Sequence, residues 1–178
     1  MAIDIFKPIQ LGTETFHPVS YTADLFVMDW TMKAGGKVPA HVHIYMDEHF
    51  TVTDGEVKFT VNGRAIIKKQ GEELLVPKGT VHSITNTTGQ TISMRVKYTP
   101  CSDAHRMFEI LTLLNETSPG SGLNMAKYFY IFPRLGLKEF SAVPSPAAMK
   151  VMNLLLTVMG KLAGWDKFVR QLKSAELA

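Results

Sequence analysis

From residue 23 to residue 99, apolar and polar residues trade places along short runs separated by turn residues. ADLFVMDWTM (23–32) alternates loosely and reads as a strand. EHFTV (48–52) and EVKFTV (56–61) flank Asp54-Gly55, a hairpin turn signal, and Asn62-Gly63 makes a second tight turn into RAIIKK. EELLVP, VHSITN and TISMRVKYT continue the series, while residues 1–22 are mixed and read as one or two edge strands. Short strands at this spacing predict a sandwich or barrel. The alternation also predicts which side chains face inward. Phe26, Met28 and Trp30 form one such set, Val57, Phe59 and Val61 a second, and Ile92, Met94, Val96 and Tyr98 a third.

After Pro100 the period changes. Ala104, Met107, Phe108, Leu111 and Leu114 follow helical spacing, with Ser102 or Asp103 as the N-cap. Pro119-Gly120-Ser121-Gly122 reads as a linker, and residues 124–136 fit either helix or strand. Ser145-Pro146 is a helix start, with Ser as cap and Pro in the first turn. From there Lys150, Asn153, Thr157, Lys161 and Gly164 share a narrow polar stripe. Met149, Val151, Met152, Leu154, Leu155, Val158, Met159 and Leu162 fill the wide remainder. The segment is too short to span a bilayer, which needs about 20 apolar residues. Three roles suit it: covering the barrel, pairing two copies as a homodimer, or lying on a membrane surface. The first best answers the need to bury a wide apolar face. In the last, Lys150, Lys161 and Lys167 would meet anionic lipid.

Composition narrows the function classes. With 46% hydrophobic residues the chain can build one good core. The net charge of +3 is spread without a basic run, which argues against nucleic-acid binding. Cys101 is the single cysteine, so no disulfide can close within the chain. The start MAIDIFKPIQLGTETF has no basic stretch followed by an apolar one. Together these point to a cytoplasmic protein.

The chemistry sits in two spaced motifs. The first is Gly35, His41, His43, Glu48 and Gly55; the second is Gly71, Pro77, Gly79, His82 and Asn86. Three imidazoles and a carboxylate make a donor set for Fe, Mn, Ni, Zn or Cu, and a poor one for Mg or Ca. His41 and His43 are two apart, so on a strand they share a face. Glu48 lies at an odd offset from His43, so a turn within residues 44–47 must intervene for it to face inward. Without that turn Asp47 would be the inward carboxylate. The Pro77-Lys78-Gly79 turn aims His82, and Asn86 reads as a structural residue at the strand end.

These motifs resemble those of the cupin superfamily, G-x5-H-x-H-x4-E-x6-G and G-x5-P-x-G-x2-H-x3-N, at every specified position. The resemblance covers about residues 20–99. It implies a mainly β fold, an antiparallel double-stranded β-helix (jelly-roll barrel), placed over 1–100; the helical spacing after Pro100 adds a C-terminal α-helical tail over 101–178. It implies one divalent transition metal inside the barrel, held by His41, His43, Glu48 and His82. It does not name a reaction, because the superfamily spans dioxygenases, isomerases, decarboxylases, sugar binders and storage proteins. The expected function is a metal-dependent, dioxygenase-like enzyme with a small-molecule substrate, in which Glu48 is a ligand and, if it swings away, a general base. Isomerase or decarboxylase chemistry and a non-catalytic binding module are the alternatives. Trp30, Phe50, Phe59, Ile84 and Met94 are core on the plain reading, and on the sharper one wall the substrate pocket. The superfamily's thiol dioxygenases lack the motif carboxylate, so Glu48 argues against that activity.

Overall fold

The computed structural model describes residues 3–137, 139–142 and 146–175. The alternating segments fold into two antiparallel sheets around one core. The first sheet has the order β1 (Ile9–Leu11), β2 (Glu14–Tyr21), β3 (Phe26–Met32), β10 (Ile92–Thr99), β5 (Asp47–Asp54) and β8 (Glu73–Val76). The second has the order β11 (Phe140–Ala142), β4 (Lys37–His43), β9 (His82–Thr85), β6 (Glu56–Val61) and β7 (Arg64–Lys69). This is the jelly-roll arrangement that the motifs imply. Residues of β3 and β10 alternate buried and less buried, so Phe26, Met28, Trp30, Met94 and Val96 fill the interior. On the outer face Arg95 donates to both carboxylate oxygens of Asp29, at 2.8 and 2.9 Å, across the β3–β10 pair.

Glycine is required where the chain turns tightly. Gly55 has a φ of 81° between β5 and β6, and an added Cβ there would press on Ile92. Only glycine adopts that conformation without strain.

The residues after 100 form helices α1 (Ala104–Thr117), α2 (Asn124–Ile131), α3 (Pro146–Leu162) and α4 (Asp166–Ala175), with a 3-10 turn over Phe132–Leu135. Residues 124–131 are therefore helical. Among the described residues, no helix is long and apolar enough to cross a membrane. Helix α1 lies on the barrel, with Phe108 stacked at 4.9 Å on Phe26 and edge-on at 5.9 Å to Phe16. Asp103 occupies its N-cap position but makes no side-chain capping bond, and the Ser102 hydroxyl is committed to Glu139.

The extension also completes a barrel sheet. Strand β11 pairs with β4 so that Phe140 stands opposite His43 and Ala142 opposite His41. Just before it, Glu139 is fully buried. One carboxylate oxygen accepts the backbone N–H of Tyr45 (2.9 Å) and of Met46 (3.1 Å); the other accepts the Ser102 hydroxyl (2.8 Å). One acidic side chain thus ties the β4–β5 turn to the entry of α1, and its charge is met by donors, as a buried carboxylate requires.

Helix α3 differs from the favoured expectation. It does not cover the barrel; it packs on α2, burying Leu156 and Gly160. Val151, Leu154, Leu155, Val158 and Leu162 remain exposed. The helices before it are arranged in series: α1 packs on the barrel, α2 on α1, and α3 on α2. The Ser145 cap lies outside the described residues, as does the Met149 side chain. The interface with α2 depends on the missing side chain at Gly160, because a Cβ there would overlap the Tyr130 ring. Tyr130 is itself fully buried, and its hydroxyl donates to Asp166 at 2.6 Å.

Helix propensity alone says that Gly160→Ala should stabilise by about 1 kcal/mol. The overlap with Tyr130 reverses the sign, and we expect a net loss of roughly 1–3 kcal/mol, the usual cost of overpacking. Urea unfolding of the two proteins measures it; a more stable Ala variant would show that α3 does not sit on Tyr130.

Candidate metal centre

Strand β4 alternates through the site, so His41 and His43 both point inward while Val42 between them does not. His82 opens β9 and is the register partner of His41. The chain bends at residues 44–46, and β5 then starts with Asp47 on one face and Glu48 on the other. That bend settles the choice between the two carboxylates. Glu48 is buried inside, whereas the Asp47 carboxylate accepts the Lys78 backbone N–H at 2.8 Å on the outside. The three imidazoles thus come from one sheet and the carboxylate from the other. His49, beside Glu48, faces out and lies 3.4 Å from Glu73.

His41, His43, Glu48 and His82 are all buried and each offers one ligand atom, all within 4.8 Å of one another. Four donors at about 2.1 Å from one ion span up to about 4.2 Å, so small side-chain adjustments close the set. His41 Nδ1 lies 2.9 Å from the Pro39 carbonyl and His82 Nδ1 lies 3.0 Å from the Thr80 carbonyl. A carbonyl only accepts, so each Nδ1 carries the proton and each Nε2 is left with a lone pair toward the site. Glu48 Oε2 stands 2.8 Å from His82 Nε2 and 3.4 Å from His43 Nε2. Neither Glu48 Oε2 nor His82 Nε2 has a further hydrogen-bond partner, and both atoms are out of water. A buried set of this kind fits a transition metal by donor type, burial and unmet polar demand.

The electrostatics agree. Burial pushes His41 down to about 4, so the ring is neutral near pH 7, as a ligand must be. Burial alone would raise Glu48, but the neighbouring His43 and His82 hold it well below the usual carboxylate range. Burial works against a charged His82 too, yet the Glu48 carboxylate and the Thr80 carbonyl outweigh it and raise its pKa. Tyr98, opposite Glu48 on β10, is pushed far up by burial and then by the Glu48 charge, so its phenol stays protonated.

His41, His43 and Glu48 of the cluster line a cavity of about 870 Å³. Trp30 and Ile84 line this cavity. Phe50, Phe59 and Met94, the other pocket residues expected from the sequence, are fully buried and do not line it. Phe50 and Phe59 pack on each other at 4.9 Å, and Phe50 backs His82 at 6.4 Å. Their bulk fills the barrel behind the cluster, which leaves them as core. No spacing signal pointed to the other wall, made by Met107, Phe108 and Leu111 of α1 and Tyr128 and Phe129 of α2. The helical stripe of α1 was visible; the part of the barrel it would face was not. Glu14, between two threonines near the start of β2, was likewise unremarkable in sequence and lies on the cavity wall.

The barrel and its site agree with the family comparison: residues 28–96 match the family model of the cupin domain. Among solved structures, the chain is similar to KdgF from a Halomonas species at 17% identity and a TM-score of 0.52, over 56% of this chain and 90% of that one. It is similar also to an RmlC-like cupin from Shewanella frigidimarina at 15% identity and a TM-score of 0.51, over 56% and 88%. At these identities the likeness shows the fold alone. No curated protein matches the chain.

Burial pushes the Glu14 carboxyl from 4.5 up to about 7. Between those values the folded chain keeps a proton that the unfolded chain has lost, so stability falls as pH rises through that window and levels off above it. We expect the melting temperature of Glu14→Gln to lack this decline. Parallel melting curves against pH for the two proteins would show that Glu14 is solvated.

Proposed function

We propose that this cupin is a metal-dependent, dioxygenase-type enzyme with a mononuclear site of three histidines and one glutamate. One observation carries the reading: three of the four buried residues, His41, His43 and Glu48, line a cavity whose wall also includes the exposed Gln10, Lys37 and Met125. A metal buried only to brace the fold would have no use for such a cavity. His41, His43, Glu48 and His82 would hold the ion, which supplies Lewis acidity and, if redox-active, access to O₂ chemistry. Four protein donors leave one or two positions on a five- or six-coordinate ion, enough for a substrate that binds through two oxygens. An enolate, catechol-like or dicarbonyl molecule has that form.

The chain's own groups then have definite tasks. The Pro39 and Thr80 carbonyls fix the His41 and His82 rings. Glu48 is ionised and would serve as a ligand and, on swinging away from the ion, as the general base for a substrate O–H. The protonated Tyr98 phenol lies against Glu48 and steadies that carboxylate. Trp30, Phe16 and Phe108 keep water away from the reacting end.

Protein purified gently and reloaded with Fe(II), Mn(II) or Ni(II) is expected to hold one ion per chain, and His82→Ala should lose most of it by elemental analysis. Loaded wild type should consume O₂ with catechol or 1,3-diketone probes, and Glu48→Ala should lose about 10²-fold or more of that rate. A Glu48→Ala protein that stays fully active at equal metal content removes Glu48 from the chemistry. Tight probe binding without O₂ uptake would make the chain a binding module.

A further inference from the structure

The cavity is larger than the reaction requires. A six-atom chelating head takes roughly 200 Å³ at about 30 Å³ per water-sized group, against a cavity of about 870 Å³. The remaining space is unsuited to ordered water, which needs two to four polar partners. Its walls are Met28 and Phe16 from the barrel and Met107, Leu111, Tyr128 and Phe129 from the two helices. A sugar-like ligand would meet few donors or acceptors there. Within the wall, Trp30 is 3% exposed, and its indole N–H has no hydrogen-bond partner. A buried donor in that state marks a place where a ligand oxygen would be gained. The polar side chains on the wall are Gln10, Thr13, Glu14, Lys37, Ser121 and Asn124, and the Asn124 amide N–H groups are already committed to the Leu114 and Ser118 carbonyls.

We propose that the site takes an amphipathic ligand, whose oxygen-chelating head reaches the four-residue cluster and whose lipophilic body, of roughly eight carbons or more, lies between the barrel and helices α1 and α2. This rests on the metal reading above and adds the substrate class. The extension is then part of the binding site. Its helices set the length of body that fits, and the Trp30 N–H meets a polar atom near the head. Met28, Met107 and Met125 suit a wall that adapts to bodies of differing shape, because methionine is flexible and polarisable.

The test is titration calorimetry on the full chain loaded with Zn(II), using acetohydroxamate and octanohydroxamate, which share a head and differ by six methylenes. Each methylene buried is worth about fourfold in affinity, so octanohydroxamate should bind at least about a hundredfold more tightly. Leu111→Glu and Met125→Glu place charge on the helix wall at positions that are not fully buried. They should erase most of that gain while leaving acetohydroxamate affinity within about threefold of wild type. Two hydroxamates of equal affinity would overturn this proposal alone. So would a tail-length gain that survives both variants, since it would then come from another surface such as the exposed row on α3. A protein that takes up no Zn(II) would overturn the metal reading and this proposal together, and a loaded protein that binds neither compound would overturn this proposal alone.

Discussion

Two imidazoles are held from behind by backbone. The Pro39 and Thr80 carbonyls each face an Nδ1, and that single contact decides what the front of each ring presents. A lone pair on Nε2 turned toward an ionised carboxylate oxygen is repulsive unless positive charge sits between them. The interior offers no water to relieve it, and Glu48 Oε2 and His82 Nε2 are both buried. Without an ion, a proton shared toward His82 meets the demand, which is why Glu48 raises the pKa of that ring against the pull of burial. A divalent cation meets it better, for all four donors at once, and displaces the proton in doing so.

That requirement constrains the surrounding structure. The turn between β4 and β5 must place Glu48 opposite the histidines within a few tenths of an ångström, and turns are the mobile part of a β fold. Here the turn is pinned by the Glu139 carboxylate, which takes two of its backbone N–H groups. Strand β11 closes the open edge of β4, the strand that carries two of the histidines. An unpaired edge would leave that strand free to shift register or to recruit another chain. The extension therefore supports the ligands before it contributes any wall to the cavity, and the loss of one side chain, Glu139, would be felt at His41 and His43 through the turn.

Local signals and long-range ones were unequally legible. His41 and His43 on one face follow from the two-residue period of a strand, and Gly55 from the left-handed backbone it needs, so both could be read from sequence. Glu48 against Asp47 was a matter of one bend. The spacing required a turn for Glu48 but could not supply it, and the structure places a bend at residues 44–46. Trp30 and Phe50 look alike in sequence, each an inward aromatic on a strand. One lines the cavity and the other packs behind His82, because the difference lies in which neighbours fill the barrel at that height. The role of α3 was harder still. An apolar helix face says that something should cover it, but not which surface is available, and α3 meets α2 where α1 already lies on the barrel.

The cluster and the cavity constrain chemistry in different ways. Three imidazoles and a carboxylate select a range of metals and, with the right ion, several reactions, which is why the same motif serves many activities. Selectivity then falls to the wall, since a hydrophobic surface rewards apolar area and penalises unpaired polar groups. In this chain the barrel supplies part of that surface and the residues after 100 supply the rest. A bare barrel would leave the cluster open to water on the side that α1 now covers with Phe108. Covering it lowers the local dielectric around Glu48 and strengthens every charge interaction there. The helices that restrict which molecules enter are therefore also those that make the buried carboxylate a stronger partner for whatever cation it holds.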